Sequence, residues 1–144
     1  MLKEDFRGIP ILNNFAGEEL DQLLQYARQV DYKPGNIIFR QGDRSAELYF
    51  VVRGKVRFEY EVPEGGSNLL SSVTDGMLFG EVAFLQSLPR TATAIAEEVT
   101  ALIVFEQEQL QKLIDKHPHM SSVFYRALAL ELAKRLRENV PRIL

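Results

Sequence analysis

From Val56 to Val62 the chain alternates strictly: Val56, Phe58, Tyr60 and Val62 are apolar, while Arg57, Glu59 and Glu61 are charged. A period of two sends successive side chains to opposite faces, so this run predicts a strand with one buried and one solvated side. Leu48 to Val52 does not alternate, and an unbroken apolar run of that length predicts a strand covered on both faces. Glu64-Gly65-Gly66-Ser67 reads as a turn, from which Asn68 to Val73 returns antiparallel. Thr91 to Ala96 and Ala101 to Phe105 predict two further strands. Before the strands, Leu20, Leu23, Leu24 and Ala27 recur at the helical spacing i, i+3, i+4, i+7 and predict a helix over about Gly17 to Gln29. After them, Gln107 to Lys116 predicts a short helix ended by His117-Pro118. A longer one follows from about His119 to Asn139, with an apolar stripe of Tyr125, Leu128, Ala129, Leu132 and Leu136, and Pro141 stops it. Seven of the nine glycines fall between Gly35 and Gly80, punctuating short β-prone segments as in a sandwich or barrel. There is no internal repeat, low-complexity tract or linker.

At 144 residues the chain supports one domain with a proper core. A hydrophobic fraction of 46% and a charged fraction of 26% are those of an ordinary globular protein. The net charge of −3 gives no global attraction to nucleic acid. The absence of cysteine excludes disulfides, cysteine zinc sites and cysteine-held iron–sulfur clusters, and fits a cytosolic location. The start, Met-Leu-Lys-Glu-Asp-Phe-Arg, lacks an uninterrupted apolar signal region, and no apolar run approaches the roughly 20 residues that span a bilayer.

The chemistry concentrates in Phe79-Gly80-Glu81-Val82-Ala83-Phe84-Leu85-Gln86-Ser87-Leu88-Pro89-Arg90-Thr91-Ala92-Thr93. A glycine that lets the backbone come close, followed by a helix start, presents free amide N–H groups to an anion. Arg90 adds a planar fork suited to phosphate oxygens. Glu81 cannot face a phosphate, so its role is to accept hydrogen bonds from a neutral hydroxyl. One phosphate beside one hydroxyl describes a ribose cyclic phosphate.

This stretch resembles the phosphate-binding cassette of the cyclic nucleotide-binding domain, a family that includes catabolite activators, protein kinase A regulatory subunits and cyclic-nucleotide-gated channels. The match runs in register through Phe79, Gly80, Glu81, Val82, Ala83, Phe84, Pro89, Arg90, Thr91, Ala92 and Thr93, with Phe84 where the family more often has leucine. Tyr32-Lys33-Pro34-Gly35, Ile38 to Asp43 and Leu48 to Val56 resemble the family's opening strands. The resemblance implies a mainly β fold with flanking α: a double-stranded β-helix (jelly-roll) sandwich with an N-terminal helix and two C-terminal helices. Residues 1–144 are expected to form a single such domain, with the jelly roll over about 30–105.

The resemblance assigns the phosphate to Arg90, Thr91 and the backbone amides of Val82 and Ala83. It assigns the ribose, through its 2′-hydroxyl, to Gly80 and Glu81. Thr91 also qualifies to meet the base, because its hydroxyl donates and accepts. cAMP is the default ligand on breadth of family use, and cGMP its rival. The basic segment Lys134, Arg135, Arg137 and Arg142 reads as a solvated helix face. If that helix acts as a lid, as in the family, register makes Arg137, Asn139 and Val140 the residues that reach the base. Leu128, Leu132 and Leu136 either dimerise or pack back on the barrel. His117 and His119 read as solvated turn residues, since no converging partner set accompanies them; no metal and no further cofactor is expected. No set of nucleophile, base and orienting group marks an enzyme.

The expected function is a cyclic nucleotide-binding regulatory domain whose ligand controls the C-terminal helix. After Asn139 only Val-Pro-Arg-Ile-Leu remains, so no helix-turn-helix follows; output is expected through a protein effector or a missing domain, with no membrane partner. The alternative keeps the fold as a protein-interaction scaffold that no longer binds nucleotide.

Overall fold

The computed structural model describes residues 3–139. A short helix α1 (Lys3–Arg7), a 3-10 turn (Leu12–Asn14) and α2 (Gly17–Tyr26) lead into eight strands. These are β1 (Arg28–Tyr32), β2 (Ile37–Phe39), β3 (Leu48–Arg53), β4 (Lys55–Glu61), β5 (Ser67–Thr74), β6 (Leu78–Phe79), β7 (Thr93–Ala96) and β8 (Thr100–Phe105). Helix α3 (Glu81–Gln86) interrupts them after β6, and α4 (Gln107–Asp115) and α5 (Pro118–Asn139) follow. Two four-stranded antiparallel sheets result, in the orders β1-β8-β3-β6 and β2-β7-β4-β5.

The unbroken apolar run of β3 is explained by its place between two cores. Leu48 and Phe50 point to the helices and join Phe84, Ile103, Phe105, Phe124 and Leu128. Tyr49 and Val51 point between the sheets and join Phe39, Val56, Phe79, Leu102 and Val104. β8 divides the same way, because a pleated strand buried on both faces must satisfy two apolar surroundings at once. β4 has one such face, and its alternation predicts Val56 and Phe58 as core. Tyr60 belongs to the same stripe yet is 43% exposed. The reason lies in the pairing: Val56 to Glu59 lie against β7, whereas Tyr60 and Glu61 have only β5 beside them, so the end of this hairpin projects past the sandwich.

Tertiary pairing also shortens the first long helix. The periodic pattern extends to Gln29, but α2 ends at Tyr26, and residues from Arg28 pair with Val104 and its neighbours. α1 and the 3-10 turn were invisible to periodicity; they exist because Phe6, Ile9, Leu12 and Phe15 are buried against the helical core. In α5 the inward face holds Met120, Phe124 and Leu128, with Tyr125 and Leu132 of the expected stripe half-buried against the same core, while Ala129 and Leu136 of that stripe are exposed. His119 is not simply solvated: its Nδ1 lies 2.8 Å from Glu19 Oε2 and joins α5 to α2. Among the described residues no helix is long and apolar enough to cross a membrane, and no three metal-ligating side chains cluster.

Candidate functional site

Gly80 ends β6 in the left-handed region, at φ 86° and ψ 7°. A Cβ there would lie 2.8 Å from the Glu47 carbonyl oxygen and 3.0 Å from Arg90 Nη1, so both conformation and space require glycine. The turn delivers the chain into α3, whose first amides, including those of Val82 and Ala83, have no intrahelical acceptor.

Arg90 sits under this turn and is only 3% exposed. Its Nε donates to Ser45 Oγ at 3.1 Å, Nη1 to the Gly80 carbonyl at 3.2 Å, and Nη2 to the Glu47 carbonyl at 3.0 Å. The Glu47 carboxylate lies 3.4 Å from Nη2, and the guanidinium carbon is 4.1 Å from the centre of the Phe39 ring. Burial pulls the pKa of Arg90 below its ordinary value, opposed by Tyr49, Glu47 and Asp43. Its backbone is clamped too, with Arg90 N–H donating to the Asp43 carbonyl and the Arg90 carbonyl accepting from Gly42. That clamp delays the next strand to Thr93, two residues later than the pattern predicts.

Above Arg90 a cavity of about 290 Å³ opens. Phe39, Phe58, Met77 and Phe79 form an apolar wall, and β5 supplies Leu70, Ser71 and Ser72. Gly80, Glu81, Val82, Ala83, Arg90 and Thr91 all line this one space. Its size falls near the lower end for a small-molecule site.

Helix α5 closes one side with Arg135 and Glu138. Arg135 Nη1 is 3.8 Å from Glu81 Oε1, its Nε is 3.4 Å from Glu131 Oε1, and Nη2 donates to the Leu78 carbonyl. This corrects the reading of Arg135 as part of a solvated face. Arg137 is exposed and does not line the cavity. Two residues along a helix are about 200° apart, so Arg135 and Arg137 cannot share a face, whereas Arg135 and Glu138 can. The side chain of Asn139, and all of Val140 and Arg142, lie outside the described residues. Register alone did not single out Arg135, because the face of α5 that turns inward is set by the packing of Phe124 and Leu128 into the core. Ser45 and Glu47 carried no local signal, because they meet Arg90 across more than 40 residues of sequence.

A family model described as "cyclic nucleotide-binding domain" matches residues 29–117. The chain belongs to the cyclic nucleotide-binding domain family. The Cyclic AMP receptor protein of Thermus thermophilus is 37% identical over 132 residues, covering 92% of this chain and 59% of that protein. A CRP-like cAMP-activated global transcriptional regulator of Mycobacterium tuberculosis is 28% identical, covering 88% of this chain and 57% of the regulator. This cyclic nucleotide-binding domain thus spans just under three fifths of the length of both relatives. A cyclic nucleotide-binding domain from Methylobacillus flagellatus superposes with a TM-score of 0.86 at 24% identity, over 98% of this chain and 83% of that one, which shows the shared fold.

Proposed function

We propose that this chain is a regulatory sensor that holds a cyclic 3′,5′-nucleotide in the cavity between α3, β5 and α5. The observation that carries the reading is Arg90: a guanidinium 3% exposed, stacked on an aromatic ring, and lining a space bordered by the free amides of a helix start. In this proposal Arg90, Thr91 and the amides of Val82 and Ala83 hold the phosphate, and Gly80 and Glu81 hold the ribose. The names of the relatives nominate cAMP as the first ligand to test, with cGMP beside it. Glu81 already faces Arg135, so a sugar hydroxyl that engages Glu81 competes with or joins a contact of α5. Ligand then shifts the position of α5 through its differential affinity for the two arrangements. Output passes to an effector protein or to a further domain of the kind the longer relatives have room for, and the setting is cytosolic.

One observation favours the scaffold reading. Both signature charges have internal partners, Arg90 in Glu47 and Glu81 in Arg135, and a retained fold needs no more. Thermal melts with each nucleotide separate the two. A ligand at one hundred times its dissociation constant adds about 2.7 kcal/mol of stability. The sensor reading expects a rise of several degrees; an unchanged melt with both compounds at millimolar concentration leaves the scaffold.

A further inference from the structure

The chain has no cysteine and three methionines, so its only oxidisable sulfurs are thioethers. Two of them, Met77 and Met120, lie among the described residues, and their surroundings are opposite. Met120 is 0% exposed inside the helical core. Met77 is half-buried, packs on the core between the sheets and lines the cavity beside Phe39, Phe58 and Phe79.

The backbone at Met77 is fixed. Its N–H donates to the Thr74 carbonyl at 3.0 Å, closing the turn through Gly76, and its carbonyl accepts from Val51 N–H at 2.9 Å. The side chain folds back so that Sδ lies 3.4 Å from the Thr74 amide nitrogen and 3.8 Å from Thr74 Oγ1. A thioether is a poor acceptor, so these two donors gain little from it. A sulfoxide is polar and accepts more strongly, and Thr74 stands beside the place where its oxygen would form.

We propose that Met77 is a peroxide-oxidation site reached through the cavity, and that its sulfoxide weakens ligand binding there. A sulfur lone pair attacks one oxygen of hydrogen peroxide, the O–O bond breaks and an S–O bond forms. The proton on that oxygen passes to the departing hydroxide, which leaves as water; the thioether loses two electrons and the peroxide gains them. The product puts a polar group into an apolar wall and takes room from a cavity of about 290 Å³. The coupling is reciprocal, so a bound ligand covers the sulfur and slows its oxidation. The effect on binding rests on the cyclic-nucleotide reading of this cavity; the oxidation of Met77 does not.

Peptide mass spectrometry of the whole folded chain, treated with hydrogen peroxide, gives the first readout. Met77 should gain one oxygen at least about tenfold faster than Met120, which needs local opening to react. Saturating cAMP or cGMP should slow that gain. Met120 oxidised as fast as Met77 overturns the site, and a Met77 rate unmoved by a nucleotide that binds overturns the cavity as the route. Isothermal titration gives the second readout: the oxidised chain should bind either nucleotide at least about fivefold more weakly. In Met77→Leu the affinity should be the same before and after peroxide, while Met77→Gln should bind weakly without any. Equal affinity of the unaltered chain before and after peroxide overturns the effect on binding and leaves the sensor reading intact. Binding of neither nucleotide by the untreated chain overturns the sensor reading and the effect on binding, whereas Met77 oxidised ahead of Met120 still upholds the oxidation site.

Discussion

Arg90 is held by four contacts from two segments before any ligand arrives, so its position is a property of the folded chain. Preorganisation of this kind lowers the cost of gripping a phosphate. Arg90→Ala is expected to weaken nucleotide binding by about tenfold or more in isothermal titration, given two lost charge-assisted bonds worth about 1.5–3 kcal/mol each. Unchanged affinity would remove Arg90 from the site. The same substitution strips Glu47 of its cation, so some of the effect will appear as lost stability. Gly80→Ala isolates backbone from charge. A side chain there meets the Glu47 carbonyl and is forced into the left-handed region, at a cost of about 1–3 kcal/mol in a urea denaturation series. A midpoint unmoved by this change contradicts the tight turn.

At the scale of elements, α3 is the junction. Phe84, on its buried side, packs edge-to-face on Phe124 of α5 at 6.0 Å between ring centres. Gln107, at the start of α4, donates to the Phe84 carbonyl at 2.8 Å, and Gln111 donates to the Tyr125 hydroxyl at 2.9 Å. The Gly80 turn, α3 and the C-terminal helices are thus one packed unit. Deleting the ring with Phe124→Ala leaves a cavity between α3 and α5 and should cost about 3–5 kcal/mol by chemical denaturation. A loss below 1 kcal/mol would mean that the two helices do not depend on this contact.

For the whole molecule, two properties follow from how the layers are stacked. Tyr49 lies between the sheets, stacked on Phe79 at 4.8 Å, and its pKa is pushed up from 10.0 to about 12 by burial first and then by Glu47. The unfolded chain ionises this phenol from about pH 10, while the folded chain keeps it neutral. Stability present below pH 10 is therefore lost as the pH climbs toward 12. Burial raises Tyr32 as well, in the same direction. Melting temperatures from pH 8 to 12 should show this alkaline fall, and Tyr49→Phe should flatten it; identical profiles would contradict the assignment. The second property is the outer face of α5, where Ala129, Leu130, Ala133 and Leu136 stand exposed on a helix already apolar on its inner side. We propose that a second copy of the chain covers it. Sedimentation should give a dimer that Leu130→Glu converts to a monomer, and a monomeric unaltered chain ends the proposal.

Local pattern was enough for the sandwich of short strands, the paired C-terminal helices and the cassette from Phe79 to Thr93, because strand period, turn glycines and helix starts are written in neighbouring residues. It could not reach Ser45 and Glu47 on Arg90, which depend on two distant segments meeting beneath one turn. Nor did it yield the end of α2, where pairing with β8 overrode helical periodicity, or the exposure of Tyr60, where a strand outruns its neighbour. Along α5 the sequence supplied the helix and its charges. Only packing against the sandwich decided its rotation, and with it that Arg135 and Glu138, rather than Arg137, face the cavity.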